Sequence, residues 1–187
     1  EIISKSGSKI GGKDIDQWIV NHFLPSNQDE RNLSVAEKLK CRLSDPYIKS
    51  ERKFQISLFS DANEKKEFFM SKEMFENMLT ENNLLNHLNS LLKDLLNEAR
   101  GKFCKTDDLH SVILVGGGTQ IPLIKKWISN EIPKIKINSP PPIESIALGA
   151  LAMTPGVKIK DILIKGISIQ LFNKREQKHF WHPIFCK

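Results

Sequence analysis

The stretch 111–119, SVILVGGGT, constrains the fold of this chain most, because an aliphatic run passes directly into three glycines. Residues 112–115 are aliphatic without interruption, which is typical of a strand buried on both faces of a mostly parallel sheet. Glycines 116–118 allow backbone N–H groups to approach a ligand closely. Thr119 is predicted to cap a following helix whose first turn contains Pro122. This order predicts a βα turn that suits a phosphate or a nucleoside.

The glycine motif alone leaves two interpretations open. A dinucleotide fingerprint would need a glycine at the position of Ile121, and a Walker A loop would need a Lys-Ser or Lys-Thr pair that is absent. The stretch is therefore equally compatible with a tight βα connection and with a ligand-binding loop.

Composition narrows the class of protein. With 187 residues, 40% hydrophobic and 27% charged, the chain is long enough for one large domain or two small ones. No apolar run approaches the roughly 20 residues of a transmembrane helix, and no signal-peptide pattern is present, so we expect a cytoplasmic protein without a membrane partner. Three widely spaced cysteines indicate neither a disulfide framework nor a zinc site. The pair His179 and His182 lacks a third ligand nearby, so we predict no metal site in this chain.

The net charge of +6 is compatible with an acidic partner. The lysines alternate with apolar residues, no block of five basic residues occurs, and no nucleic-acid motif is recognised. A nucleic-acid partner is therefore not favoured. A nucleotide would also be an acidic ligand, so the charge does not separate the two.

The first half of the chain is predicted to be mostly helical around a small sheet. Residues 1–4 are typical of the end of a strand, and a glycine turn leads through Asp14 into an amphipathic helix. The segments that follow are a charged helix over 30–43, a hairpin of strands 52–60 and 64–70, a helix over 71–79 capped by its first serine, and a leucine-rich helix over 84–99. The leucine stripe covers only two heptads, which favours a core helix over a leucine zipper.

The second half contains the glycine turn and a βαβ unit. A helix over 120–131, a strand over 134–138, a helix over 143–153 and a hairpin of strands 167–172 and 179–185 are predicted in this order. The helix over 143–153 carries small residues that would pack closely on the sheet: Ala147, Gly149, Ala150 and Ala152.

Three polar residues of the second helix fall at positions i, i+3 and i+7, namely Glu37, Lys40 and Ser44. This spacing places the three side chains on one helix face. The spacing is compatible with a solvated face that contains a weak salt bridge, which is the simpler interpretation, and also with one wall of a site.

Several segments, in this order, resemble the seventy-kilodalton heat-shock chaperones of the DnaK type, in the actin and sugar-kinase superfamily. Residues 7–16 (GSKIGGKDID) and 20–23 (VNHF) are similar to the family's GDTHLGGEDFD and VNHF segments. Residues 36–44 (AEKLKCRLS) resemble the helix that holds adenosine, and 71–79 the helix with the pattern TRxxFExL. Residues 112–122 and 142–152 look like the family's VLVGGSTRIP and PDEAVAxGAA segments. The resemblance covers about residues 1–153.

The resemblance implies an α/β fold, lobe II of an actin-like (ribonuclease H-like) ATPase with an inserted α+β subdomain and a short β extension at the C-terminus. Residues 1–24 and 104–156 would form the base subdomain. Residues 25–103 would form the inserted helices and small sheet. Residues 157–187 would be an interdomain linker and the truncated start of a peptide-binding β domain.

The resemblance also implies nucleotide-binding residues: two glycines beneath the adenosine and α-phosphate, a third glycine nearby and three polar side chains around adenosine. In this order they are Gly116, Gly117, Gly12, Glu37, Lys40 and Ser44. The ligand would be ATP or ADP, with magnesium held mainly by a lobe upstream of Glu1. Because that lobe would also carry the catalytic groups, we expect no ATP hydrolysis by this chain alone.

The chain departs from the family pattern at several positions. Gln120 stands where the family has an arginine that stacks on adenine, and Cys41 where many members have an arginine. Ile143 replaces an aspartate. Lys165 and Gly166 replace a leucine and an aspartate of the linker.

The function implied is that of a chaperone ATPase of the stress response, in which this lobe contributes the adenosine site and couples nucleotide state to a peptide-binding domain. The implied partners are adenine nucleotide, lobe I of the same protein, unfolded client peptides, and co-chaperones or exchange factors. The alternative is a non-enzymatic actin-like scaffold, or a pseudo-ATPase that binds proteins through the inserted subdomain.

Overall fold

The computed structural model describes residues 2–27, 29–102, 104, 106–141, 144–152, 167–173 and 177–185. The helices and strands are α1 Gly12–Phe23, α2 Glu30–Leu43, β1 Lys53–Phe59, β2 Lys65–Ser71, α3 Lys72–Glu81, α4 Leu84–Gly101, β3 Ser111–Ile113, α5 Pro122–Glu131, β4 Lys136–Asn138, α6 Glu144–Ala152, β5 Ile167–Asn173 and β6 Lys178–Phe185. Short 3₁₀ helices lie at Thr106–Asp108 and Gly117–Gln120. The mixed α/β class predicted from the sequence is confirmed.

The chain divides into two compact units. The larger unit contains the described residues among 9–89 and 109–154, and the smaller unit contains those among 1–8, 90–108 and 155–187. The predicted subdomain limits, with an insertion over 25–103, remain predictions. Residues 157–166, predicted as a linker, and Ile143 lie outside the described residues.

Helices α1 and α2 form where the apolar spacing predicts them, and each begins with a cap. The backbone N–H of Gly11 donates to Oδ2 of Asp14 at 2.6 Å, which fixes the start of α1. At α2, the carboxylate of Asp29 accepts from the backbone N–H of Arg31 at 2.9 Å. The apolar stripes of both helices enter the core of the larger unit, which contains Ile15, Ile19, Val20, Ala36, Leu39 and Leu43.

The predicted hairpin is antiparallel, with Lys53 paired to Ser71 and Phe59 to Lys65. One face is apolar and lies in the same core, where Ile56 is 2% exposed. At the end of β2 the hydroxyl of Ser71 accepts from the backbone N–H of Met74 at 3.2 Å, which confirms the predicted cap of α3. The alternation in the sequence therefore gives both the strand pairing and the buried face.

A buried asparagine joins α2 to the end of the hairpin. The side-chain Oδ1 of Asn32 accepts from the backbone N–H of Phe59 at 2.8 Å, and its Nδ2 donates to the carbonyl of the same residue at 2.8 Å. Nδ2 also donates to Oδ1 of Asn27 at 2.8 Å. Asn32 is fully buried, so these bonds satisfy the amide group away from water.

The predicted βαβ unit is confirmed, because β3 pairs with β4 in parallel and α5 connects them. The expectation that β3 is buried on both faces is wrong: Ile113 is 62% exposed and Val115 is 51% exposed. In the described part of the chain β3 pairs only with β4, and both faces of a parallel strand are covered only when helices pack on both sides. The described small residues of α6 at 147, 149 and 150 are also exposed, contrary to the predicted close packing on the sheet.

Three other local expectations are corrected. Residues 2–4 form no strand. Thr119 does not cap α5, because residues 117–120 form a 3₁₀ turn and Ile121 precedes the helix, with Pro122 as its first residue. In α4 only Leu84 of the leucine stripe is buried, while the other six leucines are half-buried.

The second predicted hairpin is confirmed as antiparallel strands β5 and β6, with Ile169 paired to His182. Trp181 is 66% exposed and Phe172 is 47% exposed. No helix of the described residues has the length and apolar character needed to cross a bilayer.

Candidate functional site

A cleft of about 580 Å³ lies within the larger unit, between the start of α1, the second half of α2 and the glycine loop before α5. This volume is within the range of small-molecule sites. Five of the six predicted site residues line it: Gly12, Glu37, Lys40, Ser44 and Gly117. Gly116, the sixth, is not among the described residues that line the cleft. The binding role of all six remains a prediction.

Lys40 is held by the start of α1. Its Nζ donates to Oδ2 of Asp16 at 2.9 Å and to the carbonyl of Gly12 at 3.0 Å, and it lies 2.7 Å from Oδ1 of Asp16. The side chains of Lys40 and Asp16 are 13% and 7% exposed. Nζ of Lys40 therefore faces three oxygen atoms of α1 within 3.0 Å, as many as an ammonium has N–H donors.

Burial raises the pKa of the Asp16 carboxyl above its ordinary value of 3.8. The hydrogen bond and charge of Lys40 act in the opposite direction, and the negative charge of Glu37 adds to the increase. Lys40 therefore favours the ionised form of a carboxylate whose ionisation burial disfavours. The cleft wall carries one closely paired cation with the further negative charge of Glu37 beside it.

Gly12 permits this arrangement. A Cβ at Gly12 would lie 3.3 Å from Nζ of Lys40, closer than ordinary van der Waals contact. A larger side chain there would force the ammonium to shift by about a few tenths of an ångström. The helix start therefore uses glycine where the lysine of α2 crosses it.

Ser44 and Glu37 give the wall acceptor groups. The hydroxyl of Ser44 donates to the carbonyl of Lys40 at 2.8 Å, so its proton is engaged and its lone pairs remain for a donor. Ser44 is buried, whereas Glu37 is exposed. This part of the cleft is therefore suited to ligand hydroxyl or amino groups.

The glycine loop forms the opposite wall. Gly116 has φ of +87°, a left-handed value that disfavours other residues. Its carbonyl accepts from the hydroxyl of Thr119 at 2.7 Å and from the backbone N–H of the same residue at 3.2 Å, which closes the loop. At Gly117 and Gly118, which line the cleft, nothing lies within 4 Å of the position of an added Cβ. The loop therefore leaves open space where side chains would otherwise project.

The structure adds residues that the sequence did not single out for the site: Ile15, Asp45, Pro46 and Ile121 line the cleft, and Asp16 anchors Lys40. For Asp16 a signal exists in the sequence. Asp16 lies beside the inward positions Ile15 and Ile19 of an amphipathic helix. A carboxylate buried there needs a paired cation, because burial of an unpaired charge is costly. The identity of that cation is not local, because Lys40 lies 24 residues away in the chain.

Two residues that depart from the resembled family also line the cleft. Cys41 is exposed, and Gln120 is half-buried with its Oε1 accepting from Nζ of Lys125 at 3.1 Å. Among the described residues no group of three or more His, Cys, Asp or Glu side chains is placed to hold a metal ion.

Comparison with known proteins gives the chain's relatives. Its sequence is 29% identical to the chaperone protein DnaK of Mycoplasma mobile over 185 residues, covering 90% of this chain and 30% of that protein. It is 28% identical to the chaperone protein dnaK of Phaeodactylum tricornutum over 193 residues, covering 90% of this chain and 29% of that protein. The chain thus spans less than a third of the length of these relatives. The family model described as Hsp70 protein matches residues 2–170, and the chain therefore belongs to the Hsp70 family.

Proposed function

We propose that the cleft binds the adenosine part of ATP or ADP, as one half of the nucleotide site of an Hsp70-type chaperone. The observation that carries this proposal is the meeting of α1, α2 and the glycine loop around one 580 Å³ cleft. Membership of the Hsp70 family supports it, because the segments that meet there are those that resemble the family's nucleotide-binding segments.

The chemistry of the walls suits a nucleoside. Gly117 and Gly118 leave room for a flat base or a phosphate to approach the backbone. Ile15 and Ile121 supply apolar surface for the base. Glu37 would accept from ribose hydroxyls, and the positive charge of Lys40 would attract a ribose or phosphate oxygen.

The proposed setting is lobe II of an actin-like ATPase. Residues 1–24 and 104–156 would form its base, residues 25–103 the inserted subdomain, and residues 157–187 the linker and the start of a peptide-binding domain. Magnesium and the catalytic groups would come from lobe I. Closure of the two lobes on the nucleotide would be passed to the linker, and hence to client peptides and co-chaperones in the cytoplasm.

Calorimetric titration of the chain with ADP tests this function. We expect binding in the micromolar to millimolar range and, for Glu37→Ala, a loss of about tenfold from one charge-assisted hydrogen bond. Glu67→Ala is the matched control, because Glu67 is an exposed carboxylate of β2 outside the cleft.

Two results would contradict the proposal. One is the absence of heat with both ADP and ATP at millimolar concentration. The other is an equal affinity for ADP in the Glu37→Ala and Glu67→Ala variants, which would place the nucleotide elsewhere.

A further inference from the structure

We propose that Gln120 is a specificity-determining residue, whose side-chain NH₂ group, oriented by Lys125, donates a hydrogen bond to an unprotonated ring nitrogen of the bound purine. This inference rests on the proposed nucleotide-binding function of the cleft. It assigns base recognition to a residue that stands where the resembled family has an arginine.

Lys125 orients the side-chain amide of Gln120. A glutamine side chain ends in one acceptor, Oε1, and one donor group, Nε2. Nζ of Lys125 can only donate, and it lies 3.1 Å from Oε1 of Gln120. A flipped amide would place an NH₂ group against an ammonium, so the lysine determines which end faces it. The donor end is the one that remains for a ligand in the cleft that Gln120 lines.

The backbone that joins Gln120 to Lys125 is held by hydrogen bonds. Gln120 ends the 3₁₀ helix, and the next residue, Ile121, is 1% exposed. The backbone N–H of Ile121 donates to the carbonyl of Gly118 at 3.2 Å, and the N–H of Lys125 donates to the carbonyl of Ile121 at 3.2 Å. The backbone between the glutamine and its lysine is therefore fixed by the first turn of α5. A donor held in this way loses little conformational freedom when a ligand binds.

The contact with Lys125 also affects the strength of Nε2 of Gln120 as a hydrogen-bond donor. An ammonium on Oε1 draws electron density from the amide and makes its N–H groups better donors. No described residue accepts a hydrogen bond from Nε2 of Gln120. The donor is thus polarised and oriented by Lys125, on a residue that lines the cleft.

The other residues of the cleft also suit a purine nucleoside. Glu37 supplies an acceptor, while Ile15 and Ile121 supply apolar surface. A purine presents unprotonated ring nitrogens, a flat apolar face and, in adenine, an exocyclic amino donor. The Gln120 donor therefore fits a ring nitrogen of the purine by hydrogen bonding, without a stacked guanidinium, and Glu37 remains for the ribose hydroxyls.

The test compares ADP with its 1-deaza, 3-deaza and 7-deaza analogues by calorimetry on the 187-residue chain. Each analogue removes one ring nitrogen. We expect one of the three to bind about five- to twentyfold more weakly than ADP, as for the loss of one hydrogen bond. The other two should bind within about twofold of ADP.

The Gln120→Glu variant links that loss to the amide. It keeps the length of the side chain and the contact with Lys125 but has no N–H donor. We expect it to bind ADP about five- to twentyfold more weakly, with no further loss for the sensitive analogue. The Lys125→Met variant should weaken ADP binding about two- to fivefold, whereas Lys126→Met, at an exposed neighbour on the same helix, should have no effect.

The outcomes separate the two proposals. If the wild-type chain binds neither ADP nor ATP, the function and this inference both fail. If the chain binds ADP but treats the three analogues alike, and Gln120→Glu retains wild-type affinity, the function stands and the role of Gln120 is refuted. Equal effects of Lys125→Met and Lys126→Met would refute the orienting role of Lys125. A thermal unfolding midpoint for each variant confirms that the folded protein is compared.

Discussion

Replacing Lys40 by methionine should destabilise the fold in a strongly pH-dependent way. The substitution keeps most of the aliphatic stem and removes the ammonium that lies 2.7 Å from Oδ1 of Asp16. The carboxylate, 7% exposed, would then remain buried without a cation. Its short side chain on α1 cannot reach the open cleft as a lysine stem can. Asp16 must therefore either stay charged in a poor environment or take up a proton.

Protonation of Asp16 sets an upper limit on the unfolding free energy that Lys40→Met can lose. Protonating a carboxyl of unfolded pKa 3.8 near pH 7 requires about 4.4 kcal/mol, at about 1.36 kcal/mol for each unit of pH. Loss of one partner of a buried ion pair typically costs about 3–5 kcal/mol. Because this pair lies on the wall of an open cleft, we expect about 3 kcal/mol near pH 7. Near pH 4 the protonation limit falls to about 0.6 kcal/mol, so the cost should nearly vanish.

Urea unfolding followed by circular dichroism measures the cost at both pH values. Lys38→Met is the matched control, because Lys38 is exposed on the same helix, and it should change the unfolding free energy by less than about 0.5 kcal/mol. The ion-pair account would be refuted if Lys40→Met cost less than about 1 kcal/mol near pH 7. A cost of the same size at both pH values would also refute it.

Further predictions concern the buried amide, the acid, the loop and the thiol. Asn32→Leu should lower the unfolding free energy in urea by at least about 2 kcal/mol, since it leaves the part-buried N–H and carbonyl of Phe59 without the bonds from Asn32. A loss under about 1 kcal/mol would contradict the role of Asn32 in joining α2 to the hairpin. Because burial raises the pKa of Asp16, the folded protein holds the proton of this carboxyl more tightly than the unfolded chain does. The unfolding free energy of wild type minus that of Asp16→Asn should therefore fall as pH rises from 3.8 through the folded pKa, and then stay flat. A rise of this difference with pH would mean that the pKa of Asp16 is lowered on folding. Gly116→Ala should cost about 1 kcal/mol more than Gly118→Ala in thermal unfolding, since only the former has positive φ; equal costs would argue against strain. With the other cysteines replaced by serine, ADP should slow alkylation of Cys41 in the cleft wall; unchanged kinetics at saturating ADP would place the nucleotide elsewhere.

The elements that the sequence predicts well are those whose signal is local. Helix α2 was predicted over residues 30–43 and begins and ends there, because its apolar stripe and its first-turn acid lie within the segment. The hairpin follows the same logic, since alternation sets which face of β1 is buried. The cap at Ser71 also depends only on its neighbours.

The failures occur where a local pattern depends on distant partners. The run 112–115 predicts a strand, but its burial requires covering elements on both faces, and Ile113 is mostly exposed. Thr119 has a suitable side chain for a cap, yet the glycines before it allow a 3₁₀ turn in which its hydroxyl bonds back to the loop. The preference of one residue is weaker than the geometry of the turn.

The cleft shows the same division. The helical spacing of Glu37, Lys40 and Ser44 predicts a shared face, and the structure places all three on one wall. The pairing of Lys40 with Asp16 was not predicted, because it joins two helices across 24 residues and depends on the packing of α1 on α2. Spacing within one helix reveals which side chains lie together, but not what lies opposite them.

The most direct test of the proposed nucleotide site is a map of backbone amide chemical shifts. The ¹⁵N-labelled chain is titrated with ADP to millimolar concentration, and shifts are assigned residue by residue. We expect the largest changes on residues of the cleft, at Gly12, Lys40, Gly117 and Gln120. Unchanged spectra at millimolar ADP, or changes confined to the exposed hairpin of β5 and β6, would contradict it.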